Sequence, residues 1–133
     1  MQDLGFLRNV SWNNLEEIYL NRNMINNIDL LGNFTNLRVI DASNNYIEEV
    51  ILFLERLERL DLSNNYLKEF PLLENGMKKL KILNLNSNRL VGIRQVIIDY
   101  TPNIKSLDLG NNLIDFDNFD EFSAFLAKLN QWP

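Results

Sequence analysis

One pattern returns five times along this chain and limits what it can fold into. Written as Leu-x-x-Leu-x-Leu-x-x-Asn-x-Leu, it is matched by Leu15/Ile18/Leu20/Asn23/Ile25, Leu37/Ile40/Ala42/Asn45/Ile47 and Leu57/Leu60/Leu62/Asn65/Leu67. Two further windows, Leu80/Leu83/Leu85/Asn88/Leu90 and Ile104/Leu107/Leu109/Asn112/Ile114, complete the series. Their first positions lie 22, 20, 23 and 24 residues apart. With 46% hydrophobic residues and 22 asparagines among 133, a single window matches by accident at well under about one start in a hundred. Five at near-constant spacing are a true repeat, and the period excludes a coiled coil, whose apolar residues recur every 3.5 positions.

The pattern has a direct physical reading. In Leu-x-Leu two apolar side chains flank an outward one, so each short strand buries one face and exposes the other. Stacked equivalent strands make a parallel sheet whose inner face must be covered by the remainder of each repeat. The asparagine falls where the chain leaves the strand, and its side-chain amide can bond backbone groups of its own and the adjacent turn. Asn23, Asn45, Asn65, Asn88 and Asn112 are therefore expected to form a structural ladder along the stack. Asparagine favours neither helix nor strand, so its abundance fits a fold built largely of turns.

These windows resemble the leucine-rich repeat (LRR) family over nearly the whole chain, in particular its intracellular subclass of roughly 22-residue repeats. The resemblance implies an α/β architecture: a right-handed solenoid with a curved parallel sheet on its concave face and an irregular convex face of 3-10 turns and helix. The segments between strands agree in part. Ile25, Ile28, Leu31 and Phe34 step by threes before Leu37, and the second repeat runs Ile47, Val50, Leu54, Leu57. The third, with Leu67, Phe70-Pro71 and Met77, suits a turn more than a helix. The fourth is more helical, with Ile93, Val96, Ile97 and Tyr100, and stops at Thr101-Pro102.

The chain is accordingly expected to be a single domain over 1–133, with five repeats in 15–114 and an end cap on either side. Residues 1–14, where Leu4, Leu7, Val10 and Trp12 recur, read either as a short helical N-terminal cap or as the tail of a partial repeat in a piece excised from a larger protein. Residues 115–133 read as a C-terminal capping helix: Asp117 is a candidate N-cap, and Phe119, Phe122, Leu126 and Leu129 share a helical face. The acidic run within 115–121 lacks the glycine that a calcium loop needs, so neither a metal nor another cofactor is expected.

Composition narrows the function classes. The chain contains no histidine and no cysteine, which removes thiol and Ser-His-Asp catalysis, imidazole or thiolate zinc sites, and disulfides. No enzyme is expected. The longest apolar run, 50–54, is far too short to cross a bilayer, and no basic-then-apolar leader opens the sequence. The lack of cysteine-bonded caps points to an intracellular, cytoplasmic protein, with cytoskeletal association or a nuclear site as variants. A net charge of −5 argues against nucleic acid or an anionic membrane as the main partner.

The resemblance implies a binding surface on the outward face of the sheet. The fifth position of the repeat carries Tyr19, Asp41, Asp61, Asn84 and Asp108, and the third carries Glu17, Val39, Arg59, Ile82 and Ser106. The second carries Glu16, Arg38, Glu58, Lys81 and Lys105. An acidic, hydrogen-bonding column flanked by Val39 and Ile82 suits a basic or amphipathic segment of another protein. The expected binding residues are Glu17, Tyr19, Arg38, Val39, Asp41, Arg59, Asp61, Ile82, Asn84 and Asp108. The function implied is a protein–protein interaction module, monomeric or weakly homodimeric. It resembles adaptor and scaffold LRR domains of phosphatase regulators and of axonemal, ciliary or centrosomal proteins. The alternative is an LRR domain of an RNA-handling protein, in splicing or mRNA export. That role needs a basic stripe, for which Lys78, Lys79, Lys81, Arg89, Arg94 and Lys105 are the candidates.

Overall fold

A computed structural model of the chain describes residues 2–73, 77–92 and 101–114. Five three-residue strands, β1 (Glu17–Tyr19), β2 (Val39–Asp41), β4 (Arg59–Asp61), β6 (Ile82–Asn84) and β7 (Ser106–Asp108), form one parallel sheet in that order. Two shorter strands, β3 (Ile51–Leu52) and β5 (Leu72–Leu73), form a second parallel sheet. Each strand of the large sheet pairs with its equivalent one repeat on. Tyr19, Asp41, Asp61, Asn84 and Asp108 thus stand in one row, and Glu17, Val39, Arg59, Ile82 and Ser106 in another. A one-residue slip would turn Ile40, Leu60 and Leu83 outward, so the apolar alternation fixes this register.

The core is continuous from Leu4 to Ile104. Its centre is the inward pair of each middle strand: Ile40 and Ala42, Leu60 and Leu62, Leu83 and Leu85, all fully buried. The outer strands are less covered, with Ile18, Leu107 and Leu109 only partly buried against this core. Between strands, Ile28, Leu31, Leu37, Val50, Leu52, Leu54, Leu57, Phe70, Leu73, Met77 and Leu80 close the other side. The residue three before each opening leucine accepts that residue's amide hydrogen, as in Leu37 to Phe34 and Leu57 to Leu54, both at 3.1 Å. This turn aims the chain into the next strand.

The far side departs from the expected 3-10 and helical cover. Among the described residues, only Asp29–Asn33 forms a 3-10 turn there. In the next two repeats the cover is the β3–β5 sheet, with Ile51 and Leu72 outward and Leu52 and Leu73 buried. The reason is local. Ile51-Leu52 and Leu72-Leu73 each bury only their second residue, a two-residue alternation that suits a strand, and the Leu72 amide finds Val50 O at 2.8 Å. The edge of β3 nearest the first repeat is closed by a side chain, since Asp29 Oδ1 accepts the Ile51 amide hydrogen at 2.9 Å. Among the described residues there is no α-helix. The helical segment expected at 93–100 and the capping helix expected at 115–133 lie outside the described residues.

At the N-terminus, Gly5–Leu7 makes one 3-10 turn that buries Leu4 and Leu7. Trp12 holds the place of Phe34, because the Leu15 amide bonds Trp12 O at 3.1 Å as Leu37 bonds Phe34. Yet Trp12 is 48% exposed and Phe34 only 6%. Residues 4–15 thus follow the covering half of a repeat.

Candidate functional site

The candidate surface rests on the asparagine turns. In the second repeat, Asn45 donates through Nδ2 to Leu20 O at 3.0 Å and to its own Ala42 O at 3.1 Å, while its Oδ1 accepts the Ile25 amide hydrogen at 3.0 Å. Asn65, Asn88 and Asn112 repeat this set one register on, with Oδ1 accepting from Ile47, Leu67 and Leu90. Asn23 differs: its Nδ2 bonds Leu20 O and Asn21 O, and its Oδ1 holds no bond among the described residues. The turn also needs a left-handed residue just before the asparagine. Arg22, Asn44, Asn64, Ser87 and Asn111 all have φ between 53° and 61°, a region that costs most side chains roughly 1–2 kcal/mol and that asparagine tolerates.

The aspartates of the outward face are tied into the same turns. Asp41 Oδ1 accepts from the Ser43 amide at 3.0 Å and from Ser43 Oγ at 2.7 Å. Asp61 and Ser63 repeat both bonds at the same lengths. Asp108 Oδ1 accepts from the Gly110 amide at 2.9 Å and from Asn86 Nδ2 at 3.1 Å. Glycine at 110 leaves room for that reach, since a Cβ there would lie 2.7 Å from Asn86 Nδ2. Asn84 accepts the Asn86 amide hydrogen at 3.0 Å and donates to Asp61 Oδ2 at 3.4 Å. One oxygen of each aspartate therefore holds a turn, and Asp61 is buried.

The other expected residues stand clear of such duties. Glu17, Arg59 and Ile82 are exposed and Val39 half-buried, side by side on neighbouring strands. Tyr19 is 62% exposed and donates its hydroxyl to Glu17 Oε2 at 2.8 Å. That bond, more than any other influence, raises the Tyr19 phenol above its ordinary range. Arg38 bridges Glu16 at 3.5 Å and Glu58 at 3.2 Å, which raises the guanidinium further, with Glu58 the main cause. The second position thus runs from Glu16 through a neutralised Arg38–Glu58 centre to Lys81 and Lys105.

The basic candidates divide. Lys81 and Lys105 are adjacent on the fourth and fifth repeats, joined by the bond of the Lys105 amide to Lys81 O at 2.8 Å, with Lys78 and Lys79 just ahead of Lys81. Arg89 lies beyond the strand and its turn, with its guanidinium carbon 4.2 Å from the centroid of the Tyr66 ring. Arg94 lies outside the described residues. That Arg89 contact belongs to a feature the strand-centred reading missed, the tenth repeat position. Tyr46 and Tyr66 stack there with centroids 5.7 Å apart and planes 2° from parallel. The signal was in the sequence: the two tyrosines each follow a ladder asparagine directly, as Arg89 does.

Comparison with known proteins agrees with this geometry. The family described as Leucine Rich repeats (2 copies) matches residues 55–97, and that described as Leucine rich repeat matches residues 78–130. Among solved structures the chain is similar to an internalin (inlF) from Listeria monocytogenes str. 4b F2365, with a TM-score of 0.52 and 24% sequence identity. The likeness covers 85% of this chain but only 39% of that one, and it is a likeness of fold. A search of curated proteins found no match. The repeated strand, the asparagine turn and both family matches lead to one conclusion: the chain belongs to the leucine-rich repeat family.

Proposed function

We propose that this chain is a protein-interaction module that takes a segment of a partner protein across the outward face of its five-stranded sheet. The observation that carries this reading is the row Glu17, Val39, Arg59 and Ile82, which the strand register sets side by side. No side chain in that row bonds into a turn, so the row is open for recognition, whereas the aspartate row beside it is partly spent on the fold. The family supports the reading, since leucine-rich repeat proteins are generally interaction modules and typically not enzymes. The turns hold the strands in place before a partner arrives, which lowers the ordering cost of binding.

The chemistry of the row describes the partner: an amphipathic segment, with basic residues against Glu16 and Glu17, apolar ones against Val39 and Ile82, and acidic ones against Lys81 and Lys105. We place the module inside the cell, where its cysteine-free core needs no oxidising compartment. The test is capture of partners from a cell extract by the wild-type chain and by the variant V39K/I82K, with and without nuclease. Proteins held by wild type, lost by the variant and indifferent to nuclease establish the reading. Capture unchanged by the variant overturns it, and capture abolished by nuclease moves the function to the lysines of the fourth and fifth repeats and to RNA.

A further inference from the structure

We propose a second contact surface on the flank beyond the asparagine turns, which takes an acidic segment of a partner protein bearing apolar side chains. Its backbone is the ladder itself. The Tyr46, Tyr66 and Arg89 amides bond Ile25 O, Ile47 O and Leu67 O at 2.8–2.9 Å, which sets the tenth residues of successive repeats one above another. The result is a continuous stripe: Met24, Tyr46, Tyr66, Arg89 and Leu113. Met24 is 50%, Tyr46 48% and Leu113 64% exposed, whereas the apolar residues that directly follow in four of the repeats, Ile25, Ile47, Leu67 and Leu90, are fully buried. The parallel stack of the two rings ties the second and third repeats together along this stripe. Tyrosine, methionine and arginine are the residue types enriched where proteins meet.

Charge specifies the occupant. The chain carries 18 acidic against 13 basic residues, yet the eighth and tenth positions of the repeats hold Arg22 and Arg89 and no carboxylate. Among the described residues the ion pairs all belong to Arg38, so Arg89 has no carboxylate of its own. Its guanidinium lies over the Tyr66 ring, with no anion against it among the described residues, and its N–H groups are available to a carboxylate brought by a partner. Asn44, Asn64 and Asn111 at the eighth position add amides beside the stripe.

Amide shifts of the isotope-labelled chain test this. The probe is a synthetic peptide alternating glutamate with leucine and phenylalanine, compared with the same peptide carrying lysine for glutamate. The acidic peptide is expected to shift Met24, Tyr46, Tyr66, Arg89 and Leu113 and the lysine peptide to leave them in place. Arg89→Met is expected to weaken the acidic peptide by about tenfold or more, with Arg89→Lys in between. Arg89 is exposed, and unchanged shifts in β1 and β2 will show that each variant is folded. Shifts centred on Lys81 and Lys105, equal response to both peptides, no response, or an indifferent Arg89→Met would overturn the proposal. So would stripe shifts that grow with the chain's own concentration before peptide is added, since those assign the flank to self-association. Shifts at Val39, Lys81, Ile82 and Lys105 report on the strand face and shifts of the stripe on the flank, so the two readings fail separately.

Discussion

Asn65 Oδ1 accepts the amide hydrogen of Ile47 at 3.0 Å, 18 residues back in the sequence, while Asn65 Nδ2 donates to Ala42 O at 3.0 Å. One buried side chain thus completes backbone hydrogen bonding for two consecutive repeats. Asn65→Ala leaves the Ile47 amide unpaired away from water and takes from Ala42 O one of its two donors, the other being Asn45 Nδ2, and is expected to cost about 1–3 kcal/mol. Asn23 makes its bonds within its own repeat, so Asn23→Ala is expected to cost clearly less. Urea unfolding of the two variants checks the order.

The left-handed residue of each turn provides a second contrast. Asn64 sits at φ 56°, and Asn64→Val puts a β-branched side chain where only glycine and asparagine are comfortable, for a loss of about 1–2 kcal/mol. Arg22, at φ 61°, has no side-chain bond to lose among the described residues. Arg22→Asn is expected to raise stability by about 0.5 kcal/mol or more. A shift of the same sign for both substitutions would contradict the role assigned to this backbone position.

Leu62 and Leu85 are fully buried at the centre of the stack. Each changed to Ala is expected to cost about 2–5 kcal/mol, and because every repeat is sealed only by its neighbours, loss of amide-exchange protection should spread to the repeats on both sides. Protection lost at the mutated repeat alone would mean that the repeats unfold independently.

Tyr19 offers a pH signature. Its hydroxyl donates to Glu17, which favours the neutral phenol and raises its ionisation above the ordinary value. A group raised on folding contributes stability that is full below its unfolded-state range and is lost as pH climbs through the raised value. Spectrophotometric titration should therefore show one tyrosine ionising late, and Glu17→Gln should bring it back down. A titration curve unchanged by that substitution would show that the Glu17 bond does not form in solution.

Much of the architecture was legible because it is periodic. An alternation such as Leu60-Asp61-Leu62 can bury two side chains only as a strand with one inward face, and Asn65 three residues on stops that strand. The covering side was less legible. Ile51-Leu52 and Leu72-Leu73 read locally as turn or helix, and they became strands because each found the other one repeat away, with Asp29 closing the edge. No short-range propensity encodes a partner 21 residues distant.

The candidate site divides in the same way. The chain alone determined which side chains leave the sheet outward, since side chains alternate along a strand whatever its surroundings. Only the tertiary structure decided which of them are free. Asp41 and Asp61 are indistinguishable in sequence from open binding residues, yet each spends one oxygen on a serine two residues on. Tyr46, Tyr66 and Arg89, 20 and 23 residues apart, become one stripe only when the turns stack them. A residue's type and phase belong to the sequence, but whether its polar atoms are already satisfied depends on neighbours that only the fold supplies.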